Sequence, residues 1–285
     1  MTHANTALLR HLSANSTPYR DPLALVNWSQ LNSTSAWLPE SALSLHGLPE
    51  FDAIAPSVRL RLSQYELINV LQCGLWLEGV FLQRMSRRLR PGLPRVEREY
   101  ILHELREETG HSLMFLRVIE ASGLALPDGS WRPPSTAAAL SRLAPAGGGI
   151  FWLAMLIGED VPDKFNRYLR GHADAVNAAI RQVCTLHVLD EARHIALARG
   201  MCESLIAGSR GPRRALLSAA ARLLLRELAR AYYYPPAAFY ELAGLAPGAA
   251  WRALALRNPE RGRFVEQRLA PTRRALESCG LEVGR

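Results

Sequence analysis

The stretch that decides the fold is HVLDEARH, residues 187–194. It holds two histidines and two acids, and His187, Glu191 and His194 follow one another at steps of four and three. An α-helix turns by about 100° per residue, so these three side chains leave one narrow helix face. A single Glu-x-x-His on a helix is most often a solvated surface pair. The stretch therefore predicts a metal site only if other helices supply matching groups.

A second copy of the pattern lies in EETGH, residues 107–111. Glu108 and His111 have the same spacing as Glu191 and His194. In each copy a further acid comes directly before the glutamate, and these two acids are Glu107 and Asp190. The two helices are therefore similar around their acids.

Each copy follows a helix that carries one acid in apolar surroundings. Glu78 lies within CGLWLEGVFLQ, 30 residues before Glu108, and Glu159 follows FWLAMLIG, 32 residues before Glu191. The order Glu followed by Glu-x-x-His thus occurs twice, on four helices. This arrangement predicts a carboxylate-bridged dinuclear metal centre inside a four-helix bundle.

The residue types suit such a centre. Carboxylates are hard oxygen ligands that can bridge two cations, and imidazole binds iron well. Four buried glutamates without partners would be very costly, and two metal ions would compensate their charge. Iron and manganese both remain open from the ligand types alone.

Long helices dominate the predicted secondary structure, because alternation at period two is absent and β-branched residues are sparse. A metal-binding four-helix core is predicted at 56–207, with helices at 57–90, 94–122, 136–170 (interrupted at 144–149) and 173–206. Ser57 is the predicted N-cap of the first helix. Residues 1–55 are predicted to be an irregular arm with room for one short helix, and 208–285 to be additional C-terminal helices. With no visible domain boundary, we predict a single all-α domain over 1–285.

Composition excludes several function classes. The hydrophobic content of 48% supports a sizeable core, and the longest apolar run, 149–158, is shorter than the roughly 20 residues of a membrane span. The net charge of +8 comes almost entirely from arginines scattered through the helices, so we predict no nucleic-acid binding.

No signal-peptide pattern opens the chain, and we expect a cytoplasmic protein. Its four cysteines, none in C-x-x-C spacing, are expected to be reduced and structural.

On these residues the chain resembles the ferritin-like dinuclear iron proteins, and more narrowly the p-aminobenzoate N-oxygenase family. The mark of that family is a seventh ligand, an extra histidine four residues before the last glutamate, and His187 stands at that position. The resemblance covers roughly residues 60–200. It implies a ferritin-like bundle that holds two iron ions through Glu78, Glu108, His111, Glu159, His187, Glu191 and His194.

The resemblance also implies a reaction and its partners. The family uses O2 and electrons from an external reductase or ferredoxin to oxidise an aryl or heteroaryl amine to a hydroxylamine and a nitro product, in a biosynthetic pathway. The expected partners are thus a small-molecule amine and an electron donor, with no membrane involved, and a homodimer remains open. We expect the extra histidine to favour attack on nitrogen over C–H cleavage.

Three further residues are candidates for supporting the ligands. Asp190 and Arg193 complete a D-E-x-R-H string similar to that of the bacterial multicomponent hydroxylases, in which both residues support the ligand histidine. Metal-bound histidine commonly donates its other N–H to a carboxylate, so Asp190 is expected to accept from His111 across the bundle. The alternative is an ordinary surface ion pair. Glu104, one turn before Glu108, is expected to be a solvated or supporting acid, with a role as a metal ligand left open.

Other function classes stay open. A hydroxylase, a desaturase or a radical-generating subunit shares the paired Glu-x-x-His, and would be favoured if His187 were only a core histidine. A ferroxidase or iron-storage shell is the third class, although the chain is long for one. Cys184, close to the His187 face, is expected to be a small buried hydrophobe. The tyrosines at 232–234 are expected either to pack under a helix end or to line a pocket or dimer contact.

Overall fold

A computed structural model of the chain describes residues 3–136, 138, 147–206 and 208–284, and these residues contain helices and turns but no strand. The all-α prediction is therefore confirmed. The helices are α1 (His3–Ser16), α2 (Pro22–Leu25), α3 (Pro49–Asp52), α4 (Pro56–Ser86), α5 (Arg95–Ala121), α6 (Gly149–Arg170), α7 (Ala178–Ile206), α8 (Gly211–Tyr233), α9 (Ala237–Ala243), α10 (Gly248–Arg257) and α11 (Pro259–Ser278).

Helices α4 to α7 form the core bundle. α4 packs along α5 and α6 packs along α7, while the contacts of α5 with α7 and of α4 with α6 close the bundle. α8 lies against both α4 and α6, and α11 lies against α6. Pairing of consecutive helices, with further helices outside, is the arrangement expected of a ferritin-like bundle. It places one buried face of each core helix towards a common interior.

Two predicted helix starts are wrong by a few residues. Pro56 occupies the first turn of α4, where its fixed φ suits a helix start, and Ala55 precedes it, so Ser57 is not the N-cap. α7 begins after Asn177, whose side chain accepts hydrogen bonds from the backbone N–H groups of Ala179 and Ile180 at 2.9 and 3.3 Å. The predicted start near residue 173 falls instead in a separate 3₁₀ turn at Ala173–Ala175.

The N-terminal arm is more helical than predicted. α1 is a 14-residue helix that packs on α5 and α7 and buries Leu9 and Leu12. After its end, Arg106 of α5 donates a hydrogen bond to the Ser16 carbonyl at 2.5 Å, and its guanidinium lies 4.5 Å from the Tyr19 ring centroid. The arm is therefore ordered by docking on the bundle.

A buried arginine ties the outer segments to the core. Arg261 of α11 donates to the Ala42 carbonyl at 2.5 Å and to the Tyr233 carbonyl at the end of α8. Its guanidinium is 3.6 Å from the Glu66 carboxylate of α4, which also accepts from Ser44. One cationic group thus joins four segments of the chain.

The predicted interruption at 144–149 lies outside the described residues up to 146, and α6 begins at Gly149. Among the helices described, none is both long and apolar enough to span a lipid bilayer.

Candidate metal centre

The structure brings all seven predicted ligands together in the interior of the bundle, and each is almost fully buried. They form two groups, in each of which the ligand atoms lie within 4.8 Å of one another. The first group consists of Glu78, His111, His187 and Glu191. The second consists of Glu108, Glu159, Glu191 and His194.

Two carboxylates connect the groups. Glu191 Oε1 lies 3.3 Å from both His111 Nδ1 and His187 Nε2, and its Oε2 lies 3.6 Å from His194 Nδ1. Glu108 behaves in the same way, with Oε2 at 3.2 Å from His111 Nδ1 and Oε1 at 2.9 Å from His194 Nδ1. Each carboxylate presents one oxygen to each group, which is the orientation that bridges two cations.

The two groups differ in nitrogen content. The first contains His111 and His187, whose ring centroids are 4.5 Å apart, and Glu78 Oε1 lies 3.5 Å from His187 Nε2. The second contains one histidine, His194. The extra His187 therefore gives the first group more neutral nitrogen ligands than the second.

Unpaired buried atoms test whether metal fits this site. Buried polar atoms normally have hydrogen-bond partners, because burial without one is costly. Among the ligand residues of the two groups, several atoms have no hydrogen bond of acceptable geometry: Glu78 Oε2, Glu108 Oε1, Glu159 Oε1, both oxygens of Glu191 and His194 Nδ1. Two cations would pair with them. The carboxylate and imidazole set fits two iron or manganese ions.

The ligand histidines on α5 and α7 are supported reciprocally. His111 Nε2 is 3.4 Å from Asp190 Oδ2 on α7, and His194 Nε2 is 2.9 Å from Glu107 Oε2 on α5. A ring that presents Nδ1 to metal carries its proton on Nε2, which then donates to the carboxylate. Arg193 joins both supports, with Nη2 at 2.6 Å from Asp190 and 2.8 Å from Glu107. Because the Arg193 side chain is only 11% exposed, this is not an ordinary surface ion pair.

Sequence reasoning missed two supporting residues, Glu107 and Asn166. Asn166 Nδ2 lies 3.0 Å from His187 Nδ1. If His187 uses Nε2 for metal, Nδ1 carries the proton, and the amide must turn by 180° so that its oxygen accepts the hydrogen bond. Both residues had a signal in the sequence. Glu107 holds the place equivalent to Asp190, and Asn166 follows Glu159 by seven residues, two helical turns along the same face.

Two neighbouring acids lie outside the groups. Glu104 is 1% exposed, its carboxyl oxygens have no hydrogen-bond partner, and burial raises its pKa to about 8. Of the two roles predicted for it, a solvated or a supporting acid, burial is compatible only with the supporting one, which stays a prediction. Asp160 accepts hydrogen bonds from Thr272 at 2.5 Å and from Lys164 at 2.7 Å. Of the adjacent acids on α6, Glu159 is therefore the one available to the interior groups.

Without metal, the pKa values of the four glutamates shift in opposite directions, two upwards and two downwards. Burial and the charge of Glu108 raise the pKa of Glu78 well above its usual range, and burial and the charge of Glu191 do the same for Glu159. Burial also opposes ionisation of Glu108 and Glu191, but in both cases the neighbouring histidines outweigh it and lower the pKa.

The pKa values of the ligand histidines also shift in opposite directions. Burial opposes their cationic forms, but the hydrogen bond to Asp190 helps to raise the pKa of His111 to about 10, and the charge of Glu108 raises that of His194 well above its usual range. For His187 burial outweighs the opposing charge of Glu191 and lowers the pKa to about 4. Two histidine cations therefore offset two carboxylates before metal binds.

A small cavity of about 30 Å³ faces the centre on the side of Glu78, Glu159 and His187. Its remaining lining is mostly apolar and includes Tyr232, which is the pocket-lining role considered for the tyrosines. Cys184 also lines it, and burial raises the thiol pKa to about 12, so the neutral thiol acts as a small hydrophobe.

The similarity to known proteins covers nearly the whole chain and is not limited to the core bundle. Residues 2–280 match the family described as "P-aminobenzoate N-oxygenase AurF". An uncharacterized protein of Mycobacterium bovis and one of Mycobacterium tuberculosis are each 24% identical to the chain over 279 residues, covering 94% of this chain and 79% of the relative. The family match spans nearly the whole chain and implies a diiron centre in these donor groups. The chain belongs to the p-aminobenzoate N-oxygenase family of ferritin-like diiron proteins.

Proposed function

We propose that this chain is a non-haem diiron N-oxygenase that oxidises an aryl or heteroaryl amine with O2 in a biosynthetic pathway. The observation that carries the proposal is the position of His187, whose Nε2 lies within 3.5 Å of both Glu78 and Glu191. A core histidine would not direct a ring nitrogen at two predicted ligands. The family match supports the same conclusion.

The reaction defines what must reach the site. Oxidation of an amine to a hydroxylamine consumes one O2, two electrons and two protons. One oxygen atom forms the new N–O bond and the other leaves as water. Oxidation of the hydroxylamine to the nitro product consumes a second O2 and releases water, with no further external electrons. The bound iron pair would supply the O2 chemistry, and an external reductase or ferredoxin is the proposed electron source.

The chain's own residues hold this site in place. Asp190 and Glu107 orient the rings of His111 and His194, and Asn166 orients His187. The apolar lining of the adjacent cavity keeps bulk water away from the reacting atoms. The protein thus supplies ligand geometry and a dry approach for the amine nitrogen.

One reaction series tests the function. Metal-free protein is loaded with ferrous iron without O2, iron per chain is counted, and O2 is then added with and without a panel of arylamines. We expect two irons per chain and a hydroxylamine or nitro product, detected by mass analysis, that depends on the amine. His187→Ala should retain the fold and lose the product. His46→Ala is the matched control, because that ring packs on Phe51 and lies outside both groups.

A second candidate is another diiron oxidase, a hydroxylase or desaturase, because the apolar cavity would also accept a hydrocarbon. Iron uptake with O2 consumption but no oxidised amine, and with unchanged behaviour in His187→Ala, would transfer support to that class. A ferroxidase or iron-storage shell would show itself in gel filtration as a very large assembly.

A further inference from the structure

A second cavity, of about 320 Å³, lies between α4, α6 and α8, and we call it the α8 groove. Leu216 at its edge is 60% exposed, so the groove opens to solvent. Arg84 is the one charged side chain among the described residues of the lining, and it already takes part in an interaction within the chain. The other lining residues are apolar, and the largest are Trp76, Phe81 and Phe151.

The α8 groove lies next to the cavity that faces the metal centre. Leu77 and Gly158 line both, and each directly precedes a predicted ligand. The Phe81 ring packs on Gly158 so closely that a Cβ there would lie 2.5 Å from Phe81 Cζ. The side chains of Leu77 and Phe81 therefore stand between the groove and the centre.

The two cavities differ in volume, and this difference indicates different roles. A cavity of about 150 Å³ is known to hold benzene in a protein core. The metal-facing cavity, at about 30 Å³, is far too small for a ring, whereas the groove, at about 320 Å³, exceeds that volume twofold. The groove also falls within the usual range for small-molecule sites, roughly 300–1,000 Å³. Only the reacting end of a substrate fits beside the metal, and its body must lie elsewhere.

The charged residues around the two cavities further restrict the chemistry of the substrate body. Among the described residues that line the metal-facing cavity, none is a lysine or an arginine. An ionised carboxylate buried there would lack a cationic partner among these residues, at a large desolvation cost. In the groove the one cationic side chain of the described lining, Arg84, already takes part in an interaction within the chain. Apolar groups, in contrast, are stabilised roughly in proportion to the area they bury.

We propose that the α8 groove binds the body of the substrate, and that the substrate is an amine with an extended, uncharged apolar body, of the alkyl-substituted arylamine class. The amine nitrogen passes between Leu77 and Phe81 to reach the centre. This assignment rests on the N-oxygenase function proposed above and specifies its substrate class.

The test measures binding without turnover, by calorimetry on ferrous-loaded protein under anaerobic conditions. The probes are 4-hexylaniline, aniline, p-aminobenzoate and 4-hexylphenol. We expect 4-hexylaniline and 4-hexylphenol to bind at least 100-fold more tightly than aniline or p-aminobenzoate. Ala220→Phe, which fills the groove from α8, should weaken both hexyl compounds by tenfold or more and leave aniline within twofold. Ala215→Phe, at an exposed position of the same helix outside the groove, should change none of them.

Two outcomes separate this proposal from the function beneath it. Equal affinities for 4-hexylaniline and aniline, or hexyl binding that is insensitive to Ala220→Phe, overturn the groove assignment even if amines are oxidised. Groove-dependent binding of both hexyl compounds, with no oxidised amine after O2 is added, retains the groove as the binding site of an apolar substrate and removes the N-oxygenase function.

Discussion

His194 Nε2 lies 2.9 Å from a carboxylate oxygen of Glu107 on the other ligand-bearing helix. His111 and Asp190 repeat this relationship with the helices exchanged, at 3.4 Å. Helices α5 and α7 therefore each orient the ligand histidine of the other. Arg193 contacts both carboxylates and couples the two supports.

Glu107→Gln should weaken metal binding at the second group, because a neutral amide holds the His194 ring less firmly and makes it a weaker ligand. Loss of a carboxylate partner to a metal-bound histidine typically costs 10–100-fold in affinity. Asp190→Asn should act similarly on the first group through His111. Chelator competition with ferrous iron measures both effects.

The matched control is Glu99→Gln, which removes an exposed acid from α5. It should leave both ions bound as in the parent protein. If Glu107→Gln and Asp190→Asn also retained both ions with unchanged affinity, the reciprocal support would have no role in metal binding.

Metal binding should release protons. The raised pKa values of Glu78, Glu159, His111 and His194 favour the protonated forms of these groups in the metal-free protein. Each group must lose its proton to coordinate, so protons leave on metal loading and metal affinity rises with pH. Calorimetry of metal loading in buffers of different ionisation enthalpy counts them. Loading without proton release would contradict the protonation states assigned here.

Glu104→Gln should stabilise the metal-free protein at high pH. The folded pKa is about 8 and the ordinary value is 4.5, so between these values the folded protein holds a proton that the unfolded chain has lost. The contribution to stability is complete below pH 4.5 and is lost as pH rises through 8. Glutamine avoids this loss, so the gain in Tm over the parent should be larger at pH 9 than at pH 4. A gain in Tm of the same size at both pH values, or an equal gain in Glu99→Gln, would contradict the raised pKa of Glu104.

Arg261→Met should lower the free energy of unfolding by about 3–5 kcal/mol, the usual cost of removing one partner of a buried ion pair. The change leaves the Glu66 carboxylate buried without its cation, and leaves the Ala42 and Tyr233 carbonyls without their donor. Adding Glu66→Gln should recover part of the loss. Urea titration of each variant measures these free energies. Arg263→Met, at an exposed position of the same helix, should lower the free energy of unfolding by no more than about 0.5 kcal/mol. Equal losses from the two arginine variants would show that burial of Arg261 does not matter.

Much of the fold follows from local pattern. Helical periodicity predicts the core helices, and Pro91-Gly92 and Gly123 directly follow two of the predicted ranges, 57–90 and 94–122. Such signals act within a few residues. The start of α7 escaped prediction because it depends on a single cap, Asn177. α1 escaped because its stability comes from docking Leu9 and Leu12 on the bundle and not from its own sequence.

By itself the sequence determined the all-α class, the family, and which candidate ligands share a helix face, since a residue's direction from a helix depends only on its spacing. Only the tertiary structure decided that Glu108 and Glu191 each face both groups, that Glu107 and Asn166 support histidines on other helices, and that a narrow cavity lies beside a wide apolar groove. Those features depend on how helices distant in sequence are placed against one another, which no local spacing encodes.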